Sequence, residues 1–210
     1  MTIADPGPTE LALLNDQLVR MRGMLYGYSA LFFARIRDWA MVTLALLVIG
    51  STDVAPAAVA FVPFLVPFAF LETGYLFFYT VFARRYAERL ERRINNLLGD
   101  EVLIAHRLEA AYFYPPDAPK VAALSFGNLA GFVSASTIGY TVGAGLLWVA
   151  GFTGLVAFAD GQAGLAPFLV PAALVWTAAI TGYLVWTFLT RHDERRLMRE
   201  LDRWEAGGGR

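Results

Sequence analysis

Glu72 is the only charged residue between positions 57 and 82. A lone acid in so apolar a run is costly unless a base pairs with it or water reaches it. It lies about 15 residues in from the start of the run, roughly 23 Å at 1.5 Å per residue. Arg35 lies about 15 residues before Gly50 in the preceding apolar segment, at a matching depth. Arg35 is therefore the expected partner of Glu72, with Arg37 the next in reach. Asp38 completes this intramembrane polar site of Glu72, Arg35, Arg37 and Asp38. Trp39 beside it reads as an interfacial anchor, which makes Asp38 a wet residue. Asn128, Tyr140 and Thr141 are the polar residues expected to line a cavity around the site. Such a set has two uses. An ion pair fixes the register of two helices, or the carboxylate takes up a proton or a cation.

Little else in the chain suggests chemistry. There is no cysteine, which excludes disulfides and thiolate nucleophiles. His106 reads as a residue of a helix surface and His192 as part of a solvated interfacial run. Two histidines so far apart make no metal signature. No nucleophile elbow, phosphate loop or HExxH pattern occurs. TIGYTVGAG at 137–145 has the look of a channel filter but lies inside a continuous apolar span, without a re-entrant loop. No catalytic residue, metal or cofactor is expected, and an enzyme is the weakest of the readings.

The elements that must position Glu72 follow from composition. The chain is 57% hydrophobic and 17% charged, with mean hydropathy +0.50. A soluble domain is closer to half apolar and a quarter charged. The surplus is clustered: 39–50, 121–159 and 161–190 carry no charge at all. Apolar runs of about 18 residues or more read as membrane spans. All 17 Lys and Arg residues fall in three blocks, at 20–37, 84–120 and 191–210. The connecting stretches 50–56 and 159–164 have none. Basic residues stay on the cytoplasmic side. Four spans follow, at roughly 28–50, 57–82, 125–158 and 165–190, with both termini cytoplasmic. Two spans nearly fit into 121–159, but that would carry the basic C-terminus across the membrane.

Two words repeat in order. PFLVP stands at 63–67 and 167–171, and TGYL at 73–76 and 181–184. Each follows an apolar stretch and precedes a basic helix, so the chain reads as two tandem hairpins of the same orientation. The position of Glu72, counted from TGYL, falls at Ile180, so the polar device belongs to one copy. Pro67 and Pro171 each remove a backbone donor inside a helix, and neighbouring helices can satisfy the carbonyls so freed.

The fold class is thus an all-α polytopic membrane protein. Its four transmembrane helices form two parallel tandem hairpin repeats with cytoplasmic amphipathic helical extensions. The segments are an N-terminal amphipathic helix (1–25), hairpin 1 (26–82), a cytoplasmic helical segment (83–120), hairpin 2 (121–190) and a basic C-terminal helix and tail (191–210). Leu11, Leu14, Leu18, Met21 and Leu25 share one helical face, with Thr9 as cap. Tyr86, Leu90, Ile94 and Leu97 form a second stripe, with Glu88 and Arg92 an i,i+4 pair. Leu197, Leu201 and Trp204 form a third. Gly99 and Asp100 read as the stop of one helix and the cap of another running 100–114, which ends at YFYPP. Gly127–Gly131 and Gly139–Gly143 have the spacing of closely packed helices, with Gly145 and Gly151 beyond. They read as contacts between the hairpins ahead of a dimer face.

Function is less legible than fold. The leading expectation is a small integral membrane protein that acts by self-assembly or through a partner bound by its cytoplasmic helices. The alternative is an oligomeric ion or proton channel, or a small transporter, using Glu72 and Arg35. Membrane lipid, a homo-oligomer and a cytoplasmic protein are the expected partners, and nucleic acid is not. A single lysine among many arginines, with abundant Ala and Gly, points to the inner membrane of a GC-rich bacterium.

Overall fold

The computed structural model describes residues 8–113, 120, 121, 124, 125, 128–162, 164–190 and 192–207. Apart from short connecting turns and an antiparallel ladder of two residues a strand, Lys120–Val121 against Leu124–Ser125, the described chain is helical. Its helices are α1 (Pro8–Gly50), α2 (Val62–Leu98), α3 (Ala105–Phe113), α4 (Asn128–Asp160), α5 (Ala166–Thr190) and α6 (His192–Gly207). A 3-10 turn, Pro56–Phe61, leads into α2. The proline-rich segment 114–119 lies outside the described residues, as does Arg191.

Three helices are long and apolar enough to cross a membrane: Pro56–Leu98, Ala135–Asp160 and Ala166–Thr187. The fourth expected span, on α1, is not among them. Its uncharged stretch from Trp39 to Gly50 is only about 18 Å long, against about 30 Å of bilayer hydrocarbon. Arg35, Arg37 and Asp38 lie just before it.

The chain divides into two compact units. The charged unit comprises Met1–Ser29, Phe78–Ile138 and Leu197–Arg210. It has an ordinary core. Leu14 and Leu18 of α1 are buried with Ala87, Leu90 and Ile94 of α2, and Leu11, Met21, Tyr86, Leu97 and Leu103 pack against them. Each of the buried leucines and Ile94 so removed from water stabilises the fold by about 1.5–3 kcal/mol. α1 begins at Pro8, whose fixed φ suits a first turn, so Thr9 lies inside the helix and is not its cap. α2 stops at Gly99, which takes the left-handed conformation at φ 68° that glycine adopts without strain. The next helix starts five residues later than expected. Asn95 holds the intervening backbone: its Nδ2 donates to the Leu103 carbonyl at 2.7 Å, and the Leu103 N–H donates to its Oδ1 at 2.8 Å. That pair ties down the backbone of Leu103, and α3 begins only at Ala105.

The apolar unit comprises Ala30–Phe77 and Gly139–Arg196. Here the pattern is reversed. Many large apolar side chains of α1, α4 and α5, among them Met41, Val48, Leu146, Val149, Leu174 and Val175, are uncovered by protein. What is buried combines Ala159 and Ala173 with Val59, Val62, Val66, Leu76, Leu155 and Ile180. Close approach depends on glycine at two places on α4. A Cβ on Gly151 would stand 2.2 Å from Val62 Cγ1, and one on Gly154 would stand 2.3 Å from Val59 Cγ2. Gly139, Gly143 and Gly145 have open space where a side chain would be. The close approach therefore uses Gly151 with Gly154, and the expected Gly139–Gly143 pair takes no part in it.

The repeated PFLVP acquires a physical meaning in this unit. Its prolines are four residues apart, so the carbonyl that loses its donor at Pro67 is that of Pro63. Trp148 of α4 supplies a replacement, its indole N–H shared between the Pro63 carbonyl at 3.3 Å and Thr177 Oγ1 at 3.1 Å. Trp176 of α5 donates to the next carbonyl, Phe64, at 2.9 Å. Two tryptophans from two helices thus serve the freed turn of α2.

Candidate functional site

Glu72 projects from α2 toward α1. Its Oε1 lies 3.4 Å from Arg35 Nε, and its Oε2 accepts a hydrogen bond from the Trp39 indole. Arg35 and Trp39 are four residues apart, so one helix face offers both donors. The Trp39 ring is held edge-on by Phe68, with centroids 5.8 Å apart. At 3.4 Å the ion pair is looser than a charge-assisted hydrogen bond of about 2.8 Å. The Glu72 and Arg35 side chains are 30% and 46% exposed. Each carboxylate oxygen thus has one donor, and protein does not seal the site.

Arg37 Nη2 donates to its neighbour Asp38 at 3.1 Å, and both side chains are exposed. Tyr140 and Thr141 are exposed on α4. The side chain of Asn128 lies outside the described residues. Trp39, read from sequence as an anchor alone, is instead a direct partner of Glu72.

The charged unit holds a second polar cluster that the sequence reading missed. The Glu91 side chain on α2 is only 2% exposed. Its Oε1 accepts from Arg22 of α1. Its Oε2 accepts from the backbone N–H of His106 and from the His106 ring at Nδ1, each at 3.0 Å. Arg22 also donates to Glu109 of α3, whose second oxygen lies 3.2 Å from Arg84 Nε. His106 is the second residue of α3, so Glu91 caps that helix from a neighbouring one and meets the positive end of its dipole. Burial works against the charge on Glu91. The donors from Arg22 and His106 outweigh it and hold the carboxyl below its ordinary pKa. Arg22 is pushed the other way: burial lowers its pKa, and the bonds to Glu91 and Glu109 more than restore it. His106 is therefore part of a half-buried network rather than an open helix surface. A signal for Glu91 was present. Ala87, Leu90, Glu91 and Ile94 follow the i, i+3, i+4, i+7 pattern of a core-facing stripe, with an acid at one of its places.

The apolar unit also contains an open crevice of about 590 Å³. It lies among the end of α1, the 3-10 turn and the last turns of α4, lined by Leu47, Ser51, Val59, Gly154, Ala157 and Phe158 among others. None of the expected site residues lines it.

Comparison with protein-family models, with curated protein sequences and with solved structures gave no match.

Proposed function

We propose that the chain is a multi-pass inner-membrane protein that works by assembly rather than catalysis, through its charged helical unit. The observation that carries this reading is the contrast in covering. The apolar unit leaves large aliphatic side chains bare on helices of spanning length, while the charged unit buries Leu14, Leu18, Leu90 and Ile94 in an ordinary core. α2 has 37 residues, about 55 Å, so its charged second half lies beyond a hydrocarbon core of about 30 Å. α1 makes a fourth span in this reading, short in hydrocarbon, with Arg35 paired to Glu72 and Arg37 reaching for the headgroups. Both termini and the charged unit are cytoplasmic, by the placement of the basic residues.

Pull-down from detergent-solubilised membranes with tagged full-length chain tests the assembly reading. A second copy or a protein partner should co-purify, and should be lost when exposed charges of α6 such as Arg199 and Arg203 are replaced by Ala. Recovery of monomer alone from cross-linked membranes contradicts it.

A second reading has one observation in its favour. Glu72 keeps a partly exposed carboxylate between a loosely held arginine and an indole, an arrangement able to take up a proton or a cation. Proteoliposomes holding wild-type chain or Glu72→Gln decide it. Flux in the first and none in the second makes this a conducting protein. No flux in either, with folded protein, leaves Glu72 a structural partner of Arg35 and Trp39.

A further inference from the structure

We propose that the crevice at the end of α1 and α4 is a lipid-binding site, taking one acyl chain of a phospholipid whose headgroup carries an amine. The inference rests on the membrane reading above. The lining is mainly hydrocarbon, supplied by Leu47, Pro56, Val59, Ala150, Ala157 and Phe158, with a polar minority. Its two hydroxyls are already satisfied. Ser51 Oγ donates to the Val48 carbonyl at 2.7 Å, and Thr153 Oγ1 donates to the Ala150 carbonyl at 2.9 Å. The lining therefore leaves no side-chain donor asking for a polar ligand. A volume of about 590 Å³ falls in the range of small-molecule sites, about 300–1,000 Å³.

The headgroup preference comes from charge. Asp53 lies two residues beyond the lining residue Ser51, and Asp160 lies two beyond Phe158. Both are exposed. The connecting stretches 50–56 and 159–164 contain no Lys or Arg. A lipid seated here meets two carboxylates and no base in these stretches. An ammonium headgroup is attracted, and an anionic glycerol headgroup is repelled. The common pattern, in which basic residues gather anionic lipid, is reversed at this end of the helices.

Native mass spectrometry of the full chain, delipidated in detergent and titrated with phosphatidylethanolamine or phosphatidylglycerol of the same chain length, tests the site. The amine lipid should be retained roughly tenfold better. Ala157→Phe fills the crevice and should abolish retention. Val149→Phe, on the bare face of the same helix, should leave it unchanged and serves as the control for folding. Asp53→Asn with Asp160→Asn changes only exposed groups and should bring the two lipids within about twofold of each other. Equal retention of both lipids by wild type, or undiminished retention in Ala157→Phe, overturns the proposal. The membrane reading fails by a different result: chain recovered in the soluble fraction without detergent. Chain that needs detergent yet keeps neither lipid sinks the site alone.

Discussion

The two units solve the burial problem in opposite ways. In the charged unit Leu14, Leu18, Leu90 and Ile94 form a buried core, with the charges outside or paired. In the apolar unit many leucines and valines, such as Leu146, Val149, Leu174 and Val175, are bare, and alanine, glycine and threonine share the interior with a few aliphatic residues such as Val62 and Leu155. Water drives the first arrangement, since every leucine removed from it gains about 1.5–3 kcal/mol. It cannot drive the second if the surroundings are hydrocarbon, because lipid and leucine are equally apolar. Helices there are held by close contact and by hydrogen bonds such as those of Trp148 and Trp176 to the proline-freed turn of α2. The same α2 takes part in both regimes, Val62–Phe77 in one and Phe78–Leu98 in the other.

The largest effect should come from the buried acid of the charged unit. Glu91→Ala leaves Arg22 and the first turn of α3 short of an acceptor and should cost about 3–5 kcal/mol in denaturant unfolding. The same group predicts a pH dependence. Its folded pKa is lowered, so its contribution is fully present above the ordinary glutamate value of about 4.3. That contribution is lost as the pH falls through the lower folded value. Acid unfolding of Glu91→Gln should lack this step. Arg22, with its raised pKa, stays charged throughout that window and does not contribute to it. A wild-type chain whose stability is flat on acidification would remove Glu91 from this role.

Leu90→Ala should cost about 3 kcal/mol, within the usual range for a filled core position. The matching change in the apolar unit, Leu146→Ala at a site 66% exposed, should cost less than about 0.5 kcal/mol in lipid. Equal costs would erase the contrast between the units.

Gly151→Leu drives a side chain into Val62 and should cost about 1–3 kcal/mol. Gly143→Leu meets open space and should be tolerated. Thermal unfolding of the two variants side by side separates them.

Trp148→Phe keeps an aromatic ring, smaller than the indole, and removes the donor. It should cost about 1 kcal/mol and leave the Pro63 carbonyl short of its replacement partner. A silent Trp148→Phe would show that the hydrogen bond fixes geometry without adding stability.

Much of the fold was legible because periodicity and charge are local. The stripes Leu11–Leu14–Leu18–Met21 and Tyr86–Leu90–Ile94–Leu97 are the faces that meet in the core. Glu88 and Arg92 pair at 2.6 Å, as their spacing required. Gly99 ends α2 as its position implied. What failed depended on partners far away in sequence. The late start of α3 comes from Asn95 holding Leu103, and no local propensity announces that. Trp39 looked like an anchor because its acceptor, Glu72, lies on another helix. The second polar cluster was hidden by the habit of reading charge runs as solvated. ERLERR at 88–93 contains one acid on the outer face, paired with Arg92, and one in the core, and only the stripe through Ala87 and Ile94 separates them. Glu72 and Arg35 share a depth in the sequence and lie 3.4 Å apart, but depth alone said nothing of Arg37 turning to Asp38.

The contrast in covering rests on what surrounds the bare face, and the absence of cysteine makes that directly measurable. Single cysteines at Val149 and Val175 on α4 and α5, and at Arg203 on α6, can be offered a water-soluble maleimide in reconstituted liposomes. A thiol reacts as its thiolate, which needs water. Arg203→Cys should label fully, and Val149→Cys and Val175→Cys should remain unlabelled until detergent is added. Rapid labelling of Val149→Cys or Val175→Cys in intact liposomes would place that face in water and contradict the account.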